Sequence, residues 1–548
     1  MPTMPDSSEV RFHPIIYVRG YAMTRGEIDA TTADPFCGFN LGSTVFRVTP
    51  EKNRPAKKFV FESPVVRLQS DFEKFKYSDV FKDGLDIMDP SWTGAITRQS
   101  IVIYRYYEQA STLLGVGATP DIEDFAKGLS SLILRVRDLV CQDPNNNVSP
   151  ATFRCYLVAH SMGGLICRAF LQNPALGADD ARRCVDKVFT YATPHNGIEM
   201  GGINIPGWLS TKDMDNFNRK RMAQYLNLEA RFNETGRVDW LPEAAFPSER
   251  FFCMVGTNRG DYEVAMGISR TFSGHGSDGL VRIENASVWG MNTDGTVSAP
   301  CPTAYAYRSH SGHFGIVNSE ESYQNLVRFL FGDVRVDIWV DVEEIQLPAN
   351  LAGEGLKDKV NALYQFEVLA SPRGKPWYLT RRIAEEDSVA CRTHKELSDS
   401  QNKDAKRVYL STVFLDKRWR VKPSQDSPNS TQNSPDPRQD SLAYSMTLGV
   451  RVPDYEVDKK LRLDQHYEGG YLFRDSVILE IIPPPKGGSS WKITYDWQRD
   501  NRGPRDIPID PKTLQNSKVE VKIPFPSDGP TTPGMSGNLR FVLSGWNT

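Results

Sequence analysis

Arg154-Cys-Tyr-Leu-Val-Ala-His-Ser161-Met-Gly-Gly-Leu165 is the stretch whose reading decides the fold. A short apolar run rich in strand formers enters Ala159-His-Ser-Met-Gly-Gly164 and leaves it as an apolar segment of helical character. Strand, sharp turn and helix in that order make a nucleophile elbow, which exposes a serine on a strained turn. The turn tolerates only small residues two positions either side of the serine, and Ala159 and Gly163 stand there. Ser161 is therefore the candidate nucleophile, with His160 and Gly163 beside it in the elbow.

Outward from the elbow, strand and helix signals alternate. Pro14–Val18, Ser100–Tyr104, Val185–Tyr191, Phe251–Val255 and Thr303–Arg308 read as short buried strands. Ile122, Phe125, Leu129, Leu132, Ile133, Val136 and Val140 recur at helical spacing behind Asp121, which is placed to cap or charge the helix start. A last helix is expected over Glu321–Leu330. This alternation predicts an α/β domain over 1–332, a mostly parallel sheet covered by helices. Residues 22–100 form a long inserted segment with strand-like pieces such as Lys58–Phe61, expected to be a small β-rich excursion near the site. Residues 197–247 lie between two core strands and are a lid or cap candidate. Their apolar residues Ile203, Ile205, Trp208, Leu209, Phe217, Met222, Leu226, Leu228, Phe232 and Trp240 either line an acyl pocket or pack on the core.

The pattern changes near Gly332. Val334, Val336, Ile338, Val340 and Val342 alternate with period two, and seven more strand candidates follow, separated by Pro, Gly and polar residues. Residues 333–548 are thus expected to form an all-β, antiparallel sandwich-like domain. Residues 423–441 are rich in Pro, Ser, Gln, Asn and Asp, and read as a disordered loop within it.

Bulk composition excludes several classes. The 548 residues suffice for at least two domains. Net charge is −3, with no basic footprint for nucleic acid and no polybasic membrane surface. Eight cysteines, seven of them within the first 301 residues, form no CxxC pair or zinc spacing. Cys155, Cys167, Cys184 and Cys253 read as small buried hydrophobes. No signal peptide and no run long enough to span a bilayer is evident, so a cytoplasmic protein is expected, with signal-less export as the alternative.

A serine nucleophile needs a base, an acid to orient that base and donors for the oxyanion. On this kind of fold they follow in the order Ser, Asp or Glu, His, each on a loop after a strand. Asp278, in Gly276-Ser-Asp-Gly-Leu-Val-Arg282, is the acid candidate, ahead of Glu284 and Asp294. His310-Ser-Gly-His313-Phe-Gly-Ile-Val317 supplies the base. His313 is preferred because Gly312 precedes it and an apolar helix start follows; His310, at the strand end, is then a packing or supporting group. The oxyanion donors are expected to be the backbone N–H groups of Met162 and of Tyr21, the latter from the Arg19-Gly-Tyr-Ala22 loop after the first strand.

These segments resemble the triad segments of bacterial lipases and esterases of the α/β-hydrolase superfamily. Ala159-His-Ser-Met-Gly is similar to a variant lipase box, and Tyr191-Ala-Thr-Pro-His-Asn-Gly197 to a Thr-Pro-His-x-Gly segment that shapes the acyl side of the site. The resemblance, covering roughly residues 13–331, implies an α/β-hydrolase fold, a supporting role for His195 and ester cleavage with neither metal nor organic cofactor. One departure is Arg19-Gly20 where the lipase pattern usually has His-Gly. The implied substrate is a small-molecule or lipid ester. Phospholipase or acyltransferase chemistry on the same triad, or a non-catalytic binding protein on the same fold, are the alternatives. The C-terminal domain is a candidate to bind lipid, carbohydrate or protein, or to brace the first.

Overall fold

The computed structural model describes residues 11–20, 43–47, 57–61, 64–77, 79–82, 87–106, 121–200, 203–204, 215–259, 276–311, 315–353, 359–399, 402–419, 442–457, 465–484, 490–500, 502–509, 518–526 and 533–547. These fall into two compact units, Met1–Leu326 and Val327–Thr548. The division lies inside the helix Glu320–Phe331 rather than after it.

The first unit is built on seven parallel strands: β1 (Ile15–Val18), β2 (Asp79–Lys82), β3 (Ser100–Tyr104), β4 (Cys155–His160), β5 (Val185–Tyr191), β6 (Phe251–Gly256) and β7 (Thr303–Ala306). Their spatial order is β7-β6-β5-β4-β1-β3-β2. Helix α1 (Ile122–Gln142) and helix α2 (Met162–Gln172) flank the sheet. This arrangement fits an α/β hydrolase. Parallel strands covered on both faces have no solvent side, so they carry continuous apolar runs. Accordingly all four residues of β1 and all five of β3 are buried. The helical stripe of α1 is inward as its spacing requires, from Ile122 to Val140. Asp121 is its N-cap residue, yet its side chain accepts no N–H; Glu123 and Asp124 in the first turn supply the negative charge that suits a helix start.

From β1 the chain builds β2 and β3 on one side and then crosses to β4 on the other. Such a reversal opens a crevice at the carboxyl ends of the strands. Ser161 follows β4 and Gly20 follows β1, so both stand at that crevice.

The inserted segment is only partly an excursion. Ser43–Arg47 and Lys57–Phe61 pair antiparallel, but β2 belongs to the central sheet, parallel to β3. The sequence pattern missed β2 because an edge strand is short and shows little apolar periodicity. Within 197–247, helix α3 (Arg219–Tyr225) buries Met222, Ala223 and Tyr225, whereas helix α4 (Glu229–Thr235) has no fully buried residue. Met222, Leu226, Leu228 and Trp240 are buried in the same cluster as α1 and α2, with Phe217 and Phe232 packed against it. This part is core packing; Ile205, Trp208 and Leu209 lie outside the described residues. Cys155, Cys167, Cys184 and Cys253 are buried and unbridged. Among the described residues no helix is long and apolar enough to cross a membrane.

The second unit is all antiparallel. One sheet runs Arg407–Leu415, Val334–Gln346, Gly534–Gly545, Lys518–Pro524 in spatial order. The other is centred on Val360–Pro372, Leu442–Val457 and Gln465–Ile482. The alternating valines of Val334–Val342 are buried with Phe366, Leu448, Val477 and Leu479 of the second sheet in a single core. Residues 423–441 lie outside the described residues.

Lys187, on β5, is 1% exposed, with its ammonium 5.3 Å from the Tyr156 ring centroid and 3.8 Å from Asp186. Burial pulls its pKa from 10.5 down to about 7. Between those values the unfolded chain holds a proton that the folded chain does not, so wild-type stability rises with pH from about 7 towards 10.5. Lys187→Met removes that burial cost. It is expected to be more stable at pH 7 by about 1–4 kcal/mol, with the gain shrinking as pH approaches 10. Urea midpoints measured across that range check the sign and the trend.

Candidate active site

Each described member of the constellation stands on a loop that leaves the carboxyl end of a core strand. Ser161 ends β4 and opens α2, with φ 52° and ψ −126°. A non-glycine residue enters this region only when its surroundings over-determine it. Two contacts do so. Ser161 N–H donates to Tyr191 C=O at 2.9 Å, and α2 presses against the end of β1. A Cβ on Gly163 would lie 2.2 Å from the Val18 carbonyl oxygen and 2.7 Å from that of Arg19. Only glycine permits that approach. Ser161 is 8% exposed.

Asp278 sits in a turn between Gly276 and Gly279, both at positive φ. Its Oδ1 accepts from the N–H groups of Leu280 at 3.0 Å and Val281 at 2.8 Å. That leaves Oδ2 free to face an imidazole, and the ring that meets it is His310, Nδ1 to Oδ2 3.0 Å. His310 Nε2 lies 3.0 Å from Ser161 Oγ. A carboxylate only accepts, so Nδ1 bears the ring proton and Nε2 offers its lone pair to the serine hydroxyl. His310 N–H also donates to Asp278 C=O at 2.9 Å, so backbone and side chain tie the two loops together.

It is His310, rather than the preferred His313, that the structure brings to Ser161 and Asp278. His310 follows the last strand, and its backbone pairs directly with the Asp278 loop. His313 lies outside the described residues, as does Tyr21. Of the other acids, Asp294 caps its own exposed turn through Thr296, and Glu284 is an exposed partner of Arg282. Neither approaches His310. Met162 opens α2, and first-turn N–H groups of a helix have no intrahelical acceptor.

His160 and His195 are supporting groups with defined proton positions. His160 Nε2 meets the carbonyl of His310 at 2.9 Å, so that nitrogen donates. Burial first, and then His310 and Arg19, hold its pKa well below the usual histidine value and keep it neutral. His195 is fully buried, with Nε2 3.1 Å from Thr190 Oγ1. Thr190 in turn donates to Phe252 C=O, so the hydroxyl accepts from His195. Burial holds this ring neutral too.

Several positions carried no sequence signal. Gly256, the last residue of β6, passes so close that a Cβ there would lie 2.8 Å from Asp278 Cβ and 2.7 Å from the Arg308 carbonyl oxygen. Arg308, two residues before His310, forks onto Glu321 with Nη2 2.8 Å and 3.0 Å from the two carboxylate oxygens. Arg168 on α2 is fully buried and donates to Gln172 Oε1 and to the carbonyls of His195, Val238 and Trp240 at 2.8–2.9 Å. It clamps the elbow helix to the Thr193-Pro-His195 loop. Burial lowers its pKa to about 10, so it stays charged at neutral pH. Among the described residues no group of three or more His, Cys, Asp or Glu side chains is arranged to hold a metal ion.

No protein-family model and no curated protein matches the chain. Solved structures similar to it include a Bacillus licheniformis lipase, BlEst2 in mature form, at 18% identity and TM-score 0.22, covering 36% of this chain and 69% of that one. Another is a gene product of Listeria innocua at 12% identity and TM-score 0.23, covering 58% of this chain and 93% of that one.

Arg168→Met would take the guanidinium from the buried carbonyls of His195 and Val238 and leave that of Trp240 to Gln172 alone, around a gap where a charge now sits. The expected loss is about 3–5 kcal/mol, read as a drop in urea midpoint with unchanged denaturant slope.

Proposed function

We propose that this protein is a serine hydrolase that cleaves carboxylic esters through Ser161, His310 and Asp278. One observation carries the reading: the continuous line from Ser161 Oγ through both His310 nitrogens to Asp278 Oδ2, each link 3.0 Å. His310 Nε2 takes the Ser161 proton as Oγ attacks the ester carbonyl, while Asp278 holds the ring and stabilises the imidazolium. The N–H of Met162 and, from the loop after Gly20, that of Tyr21 receive the oxyanion. Collapse of the tetrahedral intermediate expels the alcohol, which leaves with the proton from His310. Water, deprotonated by the same ring, then releases the acid from Ser161. We read the second unit as a sandwich that binds lipid, carbohydrate or a protein partner.

The test is covalent labelling by a fluorophosphonate together with hydrolysis of p-nitrophenyl butyrate. Wild type is expected to label and turn over; Ser161→Ala is expected to do neither, and labelling that persists in it refutes the reading. His310→Ala should lower kcat roughly 10³-fold or more, and His313→Ala much less. Gly256→Val, which displaces Asp278 without touching the nucleophile, should lower kcat/KM about 10²-fold.

A further inference from the structure

Arg19 stands between β1 and Gly20, against the nucleophile. A Cβ on Gly20 would lie 2.8 Å from Ser161 Cβ and 2.9 Å from His160 Nδ1. The carbonyl of Arg19 accepts from the Tyr106 hydroxyl at 2.8 Å and faces Gly163, so its backbone is wedged at the elbow.

Three arginines of this unit hold carboxylate or carbonyl acceptors. Arg168 has four acceptors, Arg308 has both oxygens of Glu321, and Arg67 has Glu320 at 2.6 Å. Arg19 Nη1 is buried and, among the described residues, the side chain meets no carboxylate and no other acceptor. Its charge nevertheless reaches His160, whose ring centroid is 5.0 Å from that of His310. A guanidinium nitrogen withdrawn from water without an acceptor is costly to hold. Its natural complement is a planar or tetrahedral anion bound by two parallel hydrogen bonds.

We propose that Arg19 docks an anionic oxygen group, carboxylate or phosphate, carried by the ester that Ser161 attacks. The proposal rests on the hydrolase reading above and narrows it to a substrate class. A neutral ester leaves the fork unmatched; a charged ester fills it and is held with its carbonyl at the elbow.

The experiment uses the full chain and two matched pairs of substrates. The carboxylate pair is mono-p-nitrophenyl glutarate against p-nitrophenyl butyrate. The phosphate pair is 1,2-dibutyrylglycerol 3-phosphate against 1,2-dibutyrylglycerol. The readout is the ratio of kcat/KM, charged over neutral, within one preparation, so partial misfolding of a variant cancels. Wild type is expected to favour the charged member of at least one pair. Arg19→Gln should lower that ratio about tenfold or more, and Arg19→Lys should keep part of it. The pair whose ratio falls names the anion. A ratio unmoved within about twofold in both pairs, with wild-type Ser161 still labelled by fluorophosphonate, overturns this proposal alone. Absence of labelling overturns the hydrolase reading and this one with it.

Discussion

The approach of α2 to the end of β1 is the constraint on which the site depends. Gly163 lets the helix come so close to the Val18 and Arg19 carbonyls that any side chain there would overlap them. That proximity turns the chain at Ser161 into the left-handed region, at a cost of order 1–3 kcal/mol. The packing that offsets it is large. Leu165, Ile166, Ala169 and Phe170 on α2 are fully buried in one cluster with Leu129, Ile133 and Val136 of α1. A strained serine is held by an unstrained helix.

From this point outward, acceptor-only partners decide where the protons are. The Asp278 carboxylate forces the proton of His310 onto Nδ1, and the His310 carbonyl forces that of His160 onto Nε2. Burial then keeps His160 and His195 neutral. The three rings play separate parts although each is an ordinary histidine in composition. One faces Ser161, one holds the backbone of the first, and one anchors the loop after β5 through Thr190. Arg168 and Arg308 complete this support with fixed charges, fastening the elbow helix and the histidine loop.

Legibility in the sequence followed buried periodicity. β3 and β5 were bounded correctly by their apolar runs, and α1 was found by its stripe from Ile122 to Val140, because such runs have few alternatives in a covered sheet. The elbow was readable because its steric demands fall on residues adjacent in the chain. Asp278 was readable because its flanking glycines mark a tight turn, and the structure brings it to a histidine. β2 was not, since an edge strand buries less. Nor was Gly256, whose partner Asp278 is remote in sequence. His310 is set by its pairing with the remote Asp278 loop, which flanking residue types do not encode.

By itself the sequence determined the alternation of strands and helices, the change to period-two strands near Gly332, and Ser161 as the residue in the elbow. Each depends on neighbours within a few positions, where backbone sterics and side-chain periodicity act. Only the tertiary structure decided which histidine meets Ser161 and Asp278, which glycines had to remain glycine, and that Arg19 lacks an acceptor among the described residues. Those outcomes are set by distances between loops far apart in the chain, fixed by the order in which the strands assemble.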